Sequence, residues 1–242
     1  IMAGVGLIVG ALSVTGLSGT LVNDLLYLAG DSTLLLLLMG AFSSFLLGIG
    51  MTVTAAYVFL AIVLAPALIQ GGLDPMSVHL FILYWGMLSF ITPPVALGAF
   101  AAASIAGSSA LSTGFTAMRL GSIIYFIPFF FVLEPALILE GSLLQTLIAT
   151  VKVAVGIVLI AGTLQSYVIG IGFIDRADAV GTVGRFLVII GGGLIALPTT
   201  EVIGLNVGQV TLLIAGAIAT IVGIYISRGE NTNSGSPEVA AG

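Results

Sequence analysis

The sequence predicts an all-α, polytopic membrane helical bundle. Composition is the first reason. Of 242 residues, 59% are hydrophobic and only 6% are charged, with a mean hydropathy of +1.30. A soluble domain needs roughly 25% charged residues to cover its surface, so the main solvent of this chain is lipid. Span length is the second. Several apolar runs reach the roughly 20 residues that a helix needs to cross a bilayer. The third observation refines the architecture. Two apolar segments, Leu34–Gln70 and Met76–Gly107, are interrupted in the middle, at Gly48-Ile49-Gly50-Met51-Thr52-Val53-Thr54 and at Ile91-Thr92-Pro93-Pro94. Backbone polar groups freed by such breaks cannot face lipid and must line a protein-enclosed cavity. The bundle is therefore expected to hold a re-entrant hairpin and a discontinuous helix.

Composition also excludes function classes. The net charge of −5 is weak and scattered, and no basic patch exists for nucleic acid. The absence of cysteine removes disulfides, thiol nucleophiles and zinc-thiolate sites. No charged n-region precedes the apolar start at Ile1. The chain is read as the C-terminal part of a longer protein.

Taken in order, the first helix is predicted over Met2–Val22, with Gly4, Gly6, Gly10 and Gly16 suited to close packing. A polar loop with Asn23, Asp24, Gly30 and Asp31 follows. The next segment has arms Leu34–Leu47 and Ala55–Ile69. At about 14–15 residues, each arm is roughly 22 Å long, short for a core of about 30 Å. Two tilted short spans would fit; so would a re-entrant hairpin that enters and leaves on one side. Gly71-Gly72-Leu73-Asp74-Pro75 is a turn. The second broken segment has arms Met76–Phe90 and Val95–Ala106 and is long enough to cross once with an unwound centre. After the small-residue loop Gly107–Thr113, further spans are predicted at Gly114–Leu139, kinked at Pro128 and Pro135, and at Leu143–Ile169, Gly184–Leu197 and Val207–Ile226. Arg228–Gly242 reads as a disordered polar tail.

With the hairpin returning to its starting face and Met76–Gly107 crossing once, Arg119, Arg176, Arg185 and Arg228 share a face. Asp24, Asp31, Asp74, Glu140 and Glu201 lie on the other. The positive-inside rule makes the arginine face cytoplasmic, so the hairpin base opens outward. If Met76–Gly107 were itself re-entrant, that base would become cytoplasmic.

The two breaks are the candidate site. An arm starting near Ala55 points an N-terminus inward, which suits a carboxylate. An arm ending near Leu47 points carbonyls inward, which suits Na⁺. Pro93 and Pro94 lack N–H donors, so carbonyls near Ser89 and Phe90 lose their helical partners. Thr92 adds a hydroxyl oxygen. Paired interrupted helices of this kind mark sites in secondary transporters; a pair of kinked ordinary helices is the alternative. His79 is read as a hydrogen-bonded interfacial residue, with a proton carrier or metal ligand as the alternative, and Glu134 with Lys152 as a structural ion pair between consecutive spans, with a proton relay as the alternative. Trp85, Tyr84 and Tyr57 fit either an interface or a core. No Ser/His/Asp set, HExxH or phosphate loop suggests an enzyme.

Four strings carry a resemblance: Gly50-Met51-Thr52-Val53-Thr54-Ala55-Ala56-Tyr57-Val58, His79-Leu80-Phe81-Ile82-Leu83-Tyr84-Trp85-Gly86, Ile91-Thr92-Pro93-Pro94-Val95-Ala96, and Phe129-Phe130-Phe131-Val132-Leu133-Glu134-Pro135-Ala136-Leu137. Over roughly Ile1–Leu139 the chain resembles the large membrane subunit of tripartite ATP-independent periplasmic (TRAP) transporters. The form it resembles is the one with small and large subunits fused. The family tip usually reads Gly-Met-x-Pro-Thr-Thr; Val53 stands where Pro or Thr is frequent. A neutral polar residue is common near the position of Glu134.

The resemblance implies one half of an inverted-repeat elevator transporter in the inner (cytoplasmic) membrane. Residues 1–140 would form the second transport repeat, 141–227 extra C-terminal membrane helices and 228–242 the tail. Na⁺ would be the coupling ion, with no other cofactor. An organic acid would arrive from an extracytoplasmic solute-binding protein, and the small membrane subunit would be fused upstream. Gly48, Gly50, Thr52 and Thr54 of the hairpin, with Ser89, Thr92 and Pro93 of the broken helix, would surround the ion and substrate. Gly48, Gly50, Thr54 and Thr92 would be the Na⁺ ligands. Two other readings stay open: a non-transporting membrane scaffold, and an elevator anion transporter that needs no binding protein.

Overall fold

A computed structural model describes residues 2–30, 32–174, 178–197 and 208–228. Among them, each long apolar run is helical. The first run is split into α1 (Met2–Val14) and α2 (Leu17–Ala29). Gly16 sits between them with φ 71°, a left-handed conformation that glycine takes without strain. The single helix expected over Met2–Val22 is thus corrected, and so is the loop expected at Asn23 and Asp24. Val22, Leu25 and Ala29 form a buried stripe that carries α2 past these two exposed polar residues.

The hairpin consists of α3 (Thr33–Gly48), then α4 (Val53–Val63) and α5 (Ala65–Gln70) returning. The Ser32 hydroxyl caps α3 by accepting from the Leu35 N–H at 3.3 Å. The return is visible in two contacts. Leu68 of α5 packs on Gly40, and Gly71 lies under Leu36, so the end of the second arm comes back beside the first turns of α3. Leu36, Leu37, Leu60, Leu64 and Leu68 fill the seam. The 16 residues of α3 extend about 24 Å, short of a core of about 30 Å.

Helix α6 (Pro75–Met87) starts at Asp74, whose carboxylate accepts from the Ser77 N–H at 2.7 Å. It tightens into a 3-10 turn at Leu88–Phe90, unwinds, and resumes as α7 (Leu97–Ala106). The chain returns through α8 (Ala110–Leu120), a 3-10 turn at Ser122–Tyr125 and α9 (Ile127–Leu133). Those two halves are bent by 68°. The sequence reading put kinks at Pro128 and Pro135; the bend is instead at Gly121. Pro128 lies in the first turn of α9, where a missing N–H leaves no bond unmade. Pro135 opens a separate 3-10 turn, Pro135–Ile138.

Among the described residues, three single helices are long and apolar enough to cross a membrane: α10 (Leu143–Leu164), α11 (Ala179–Ala196) and α12 (Gln209–Ser227). Helix α10 stops at Leu164 rather than Ile169. Ser166 takes φ 60° there, and β1 (Tyr167–Val168) pairs antiparallel with β2 (Gly172–Phe173). Glycines bring the three helices backbone to backbone. A Cβ on Gly156 would stand 2.5 Å from the Gly192 carbonyl, and one on Gly184 would stand 2.7 Å from the Gly223 carbonyl. The expected tail, apart from Arg228, lies outside the described residues, as do Asp31, Arg176 and Glu201.

Candidate functional site

The hairpin meets the broken helix at Gly86. Gly48, the last residue of α3, lies so close to Gly86 that a Cβ there would overlap the Gly86 carbonyl. On its other side Gly86 faces Leu60 and Ala56 of α4. Both arms of the hairpin therefore straddle one small residue of α6. One turn further on, the buried Ser89 hydroxyl donates to the Gly48 carbonyl at 3.2 Å. The same carbonyl accepts the Met51 N–H at 3.3 Å, which closes the tip.

The break itself is organised around Thr92. Its hydroxyl donates to the Leu88 carbonyl at 2.7 Å and lies 2.5 Å from the Tyr125 hydroxyl. With its proton committed to Leu88, Thr92 accepts from Tyr125. Pro93 and Pro94, joined by a cis bond, have no N–H. Among the described residues, no backbone donor replaces them at the Ser89 and Phe90 carbonyls. Pro93 rests on Gly114 of α8, where a Cβ would stand 2.8 Å from the ring, and Ile91 rests on Gly121. The bend in the returning segment thus lies against the break in the outgoing one. Around them, Trp85 Nε1 and Ser122 Oγ are buried with no hydrogen-bond partner among the described residues. The Trp85 ring stands edge-on to Tyr125, with centroids 6.0 Å apart.

Of the seven residues named from sequence, Gly48 and Ser89 are in contact. Thr92 and Pro93 are buried or half-buried against Tyr125 and Gly114. The other three stay at the tip. Gly50 is exposed with φ 76°. Thr52 is exposed and caps α4 by accepting the Ala55 N–H at 3.4 Å, and Thr54 is exposed in the first turn of α4. Sequence reasoning missed Gly86, Gly114 and Tyr125. A lone small residue in an apolar helix was the available signal for Gly86. Tyr125 carries no local signal, because its partner lies 33 positions away.

Two further pairs of polar side chains lie outside the break. Lys152 Nζ lies 3.2 Å from Glu134 Oε2, the ion pair expected between these spans. His79 Nδ1 lies 3.2 Å from the Tyr57 hydroxyl. Among the described residues, no three His, Cys, Asp or Glu side chains converge on a point. The oxygens at the break are carbonyls and hydroxyls, hard neutral donors of the kind that bind an alkali cation.

A multi-pass helical membrane protein whose hairpin packs on an interrupted helix has the architecture of a secondary transporter. The family model of the tripartite ATP-independent periplasmic transporter, DctM component, matches residues 1–146, and the chain belongs to that family. It is a TRAP permease component, from a family of transporters rather than enzymes. Comparison with curated proteins and with solved structures gave no match. The family match ends in the first turn of α10, so most of the three long helices lies beyond it.

Proposed function

We propose that this chain couples Na⁺ entry to import of an organic acid across the inner membrane. The acid is delivered by an extracytoplasmic solute-binding protein. The chain works with a small membrane subunit fused upstream, together with a first repeat of inverted topology. The observation that carries the reading is the buried contact of the Ser89 hydroxyl with the Gly48 carbonyl, which joins the hairpin tip to the break. The Gly48, Ser89 and Phe90 carbonyls and the Thr92 hydroxyl then supply neutral oxygens to the ion. The exposed N-terminus of α4, with Thr52 and Thr54, faces the carboxylate of the substrate. Hairpin and broken helix move as one body in an elevator step, because Gly48, Gly86 and Ser89 leave no room between them.

The test is uptake by the intact transporter in proteoliposomes, with its binding protein and an imposed Na⁺ gradient. Thr92→Val keeps shape and removes the hydroxyl. Na⁺-driven uptake should fall by about ten- to hundredfold, the scale of a lost charge-assisted bond, while the protein still elutes as a folded species. Wild-type Na⁺ dependence in that variant would refute the assignment.

A further inference from the structure

Away from the breaks, a cavity of about 420 Å³ with both polar and apolar walls opens between the Glu134–Glu140 turn, α10 and the start of α12. Its wall includes the Glu134–Lys152 pair, Glu140, Gln145 and Gln209. It shares Ile148, Lys152 and Gln209 with a second cavity of about 530 Å³ that runs between α10 and α12. That second cavity is apolar, walled by Leu147, Val151, Val155, Ile195, Val210 and Leu213. Most of these side chains face outward, Val151 being 63% and Val210 69% exposed. A charged pocket therefore runs directly into an apolar groove on the outside of the long helices.

We propose that this compound site holds one phospholipid with an ammonium-bearing headgroup. The groove takes an acyl chain, whose burial is favoured along each CH₂ group. The headgroup chemistry follows from the charges. Lys152 is neutralised by Glu134 at 3.2 Å, so among the described lining residues Glu140 is left with an unbalanced negative charge. That balance favours a cation and disfavours a headgroup whose only charge is its phosphate. The side-chain amides of Gln145 and Gln209 supply donor groups for the phosphate oxygens. The first turn of α12 adds a helix N-terminus with no side-chain cap. The site lies on α10 and α12, outside the hairpin and the broken helix, and does not depend on the transport reading.

The test is native mass spectrometry of the intact transporter, reconstituted in nanodiscs of phosphatidylethanolamine and phosphatidylglycerol at equal amounts and then released. One phosphatidylethanolamine per chain should be retained over phosphatidylglycerol. Val151→Trp, an outward-facing change that fills the groove, should abolish retention. Glu140→Gln should lower the preference for phosphatidylethanolamine by about tenfold. Ile218→Trp, exposed on α12 outside the groove, should change neither. Equal retention of both lipids overturns the proposal. So does retention that survives Val151→Trp, or a groove that holds no lipid because another protein segment fills it.

Discussion

Tyr125 and Thr92 show how one side chain can set the chemistry of another. The Thr92 proton points at Leu88, and the Tyr125 hydroxyl occupies one acceptor position on the same oxygen. One lone pair is left for a further ligand. Tyr125→Phe removes the donor without changing the ring stack on Trp85. The half-saturating Na⁺ concentration for uptake should rise by roughly tenfold, as losing about one hydrogen bond to a ligating group would give; maximal uptake should persist. An unchanged Na⁺ dependence would mean that Tyr125 only packs. Gly48 makes a stricter demand. A Cβ there overlaps the Gly86 carbonyl, which is backbone and cannot rotate away. Gly48→Ala should cost about 1–3 kcal/mol, read as earlier thermal unfolding. Gly50→Ala meets no neighbouring atom, but its φ of 76° strains any side chain, so its cost is conformational alone.

Among the elements, the breaks were legible because Gly and Pro act locally on the backbone. The split at Gly16 and the bend at Gly121 were not. Each contains an ordinary glycine in an apolar run, and only the neighbouring elements decide whether such a glycine packs or turns. The same holds for Pro128, which reads as a kink from sequence and proved to be a helix start. Glu134 and Lys152 were legible as a pair because consecutive antiparallel spans bring them to similar depth. Lys152→Ala leaves Glu134 unpaired in a mostly buried setting and should destabilise the protein by about 3 kcal/mol. Replacing both with apolar residues should recover most of that loss. Thermal unfolding of the two variants in one detergent is the measurement, and equal loss in both would argue against a structural pair.

At the scale of the whole molecule, the three described arginines converge. Arg119 donates to the Leu164 carbonyl at 2.9 Å, Arg185 reaches Ser166 Oγ at 3.4 Å, and Arg228 reaches the Ile171 carbonyl at 2.5 Å. All three meet the chain at the end of α10 or just after it, at the opposite end of that helix from Glu140. Arg119 precedes the bend at Gly121, so it ties the break to the arginine-bearing end. The positive-inside rule predicts that this end faces the cytoplasm. The chain has no cysteine, so introduced thiols report topology cleanly. Gln70→Cys, at the hairpin base, should react with an impermeant maleimide from outside intact cells. Gln165→Cys should react only after permeabilisation. The reverse pattern would invert the orientation.

Composition and apolar run length were enough to establish a lipid-embedded, all-helical chain, since both follow from what water and hydrocarbon tolerate. They also located the two interruptions, because the missing N–H of proline and the missing side chain of glycine belong to the residues themselves. The pairing of those interruptions came only with packing. Ser89 meets Gly48, and Thr92 meets Tyr125, through contacts spanning 41 and 33 positions. Separations of that length leave no periodic trace in the chain. They arise when close-packed helices bring distant small residues into register.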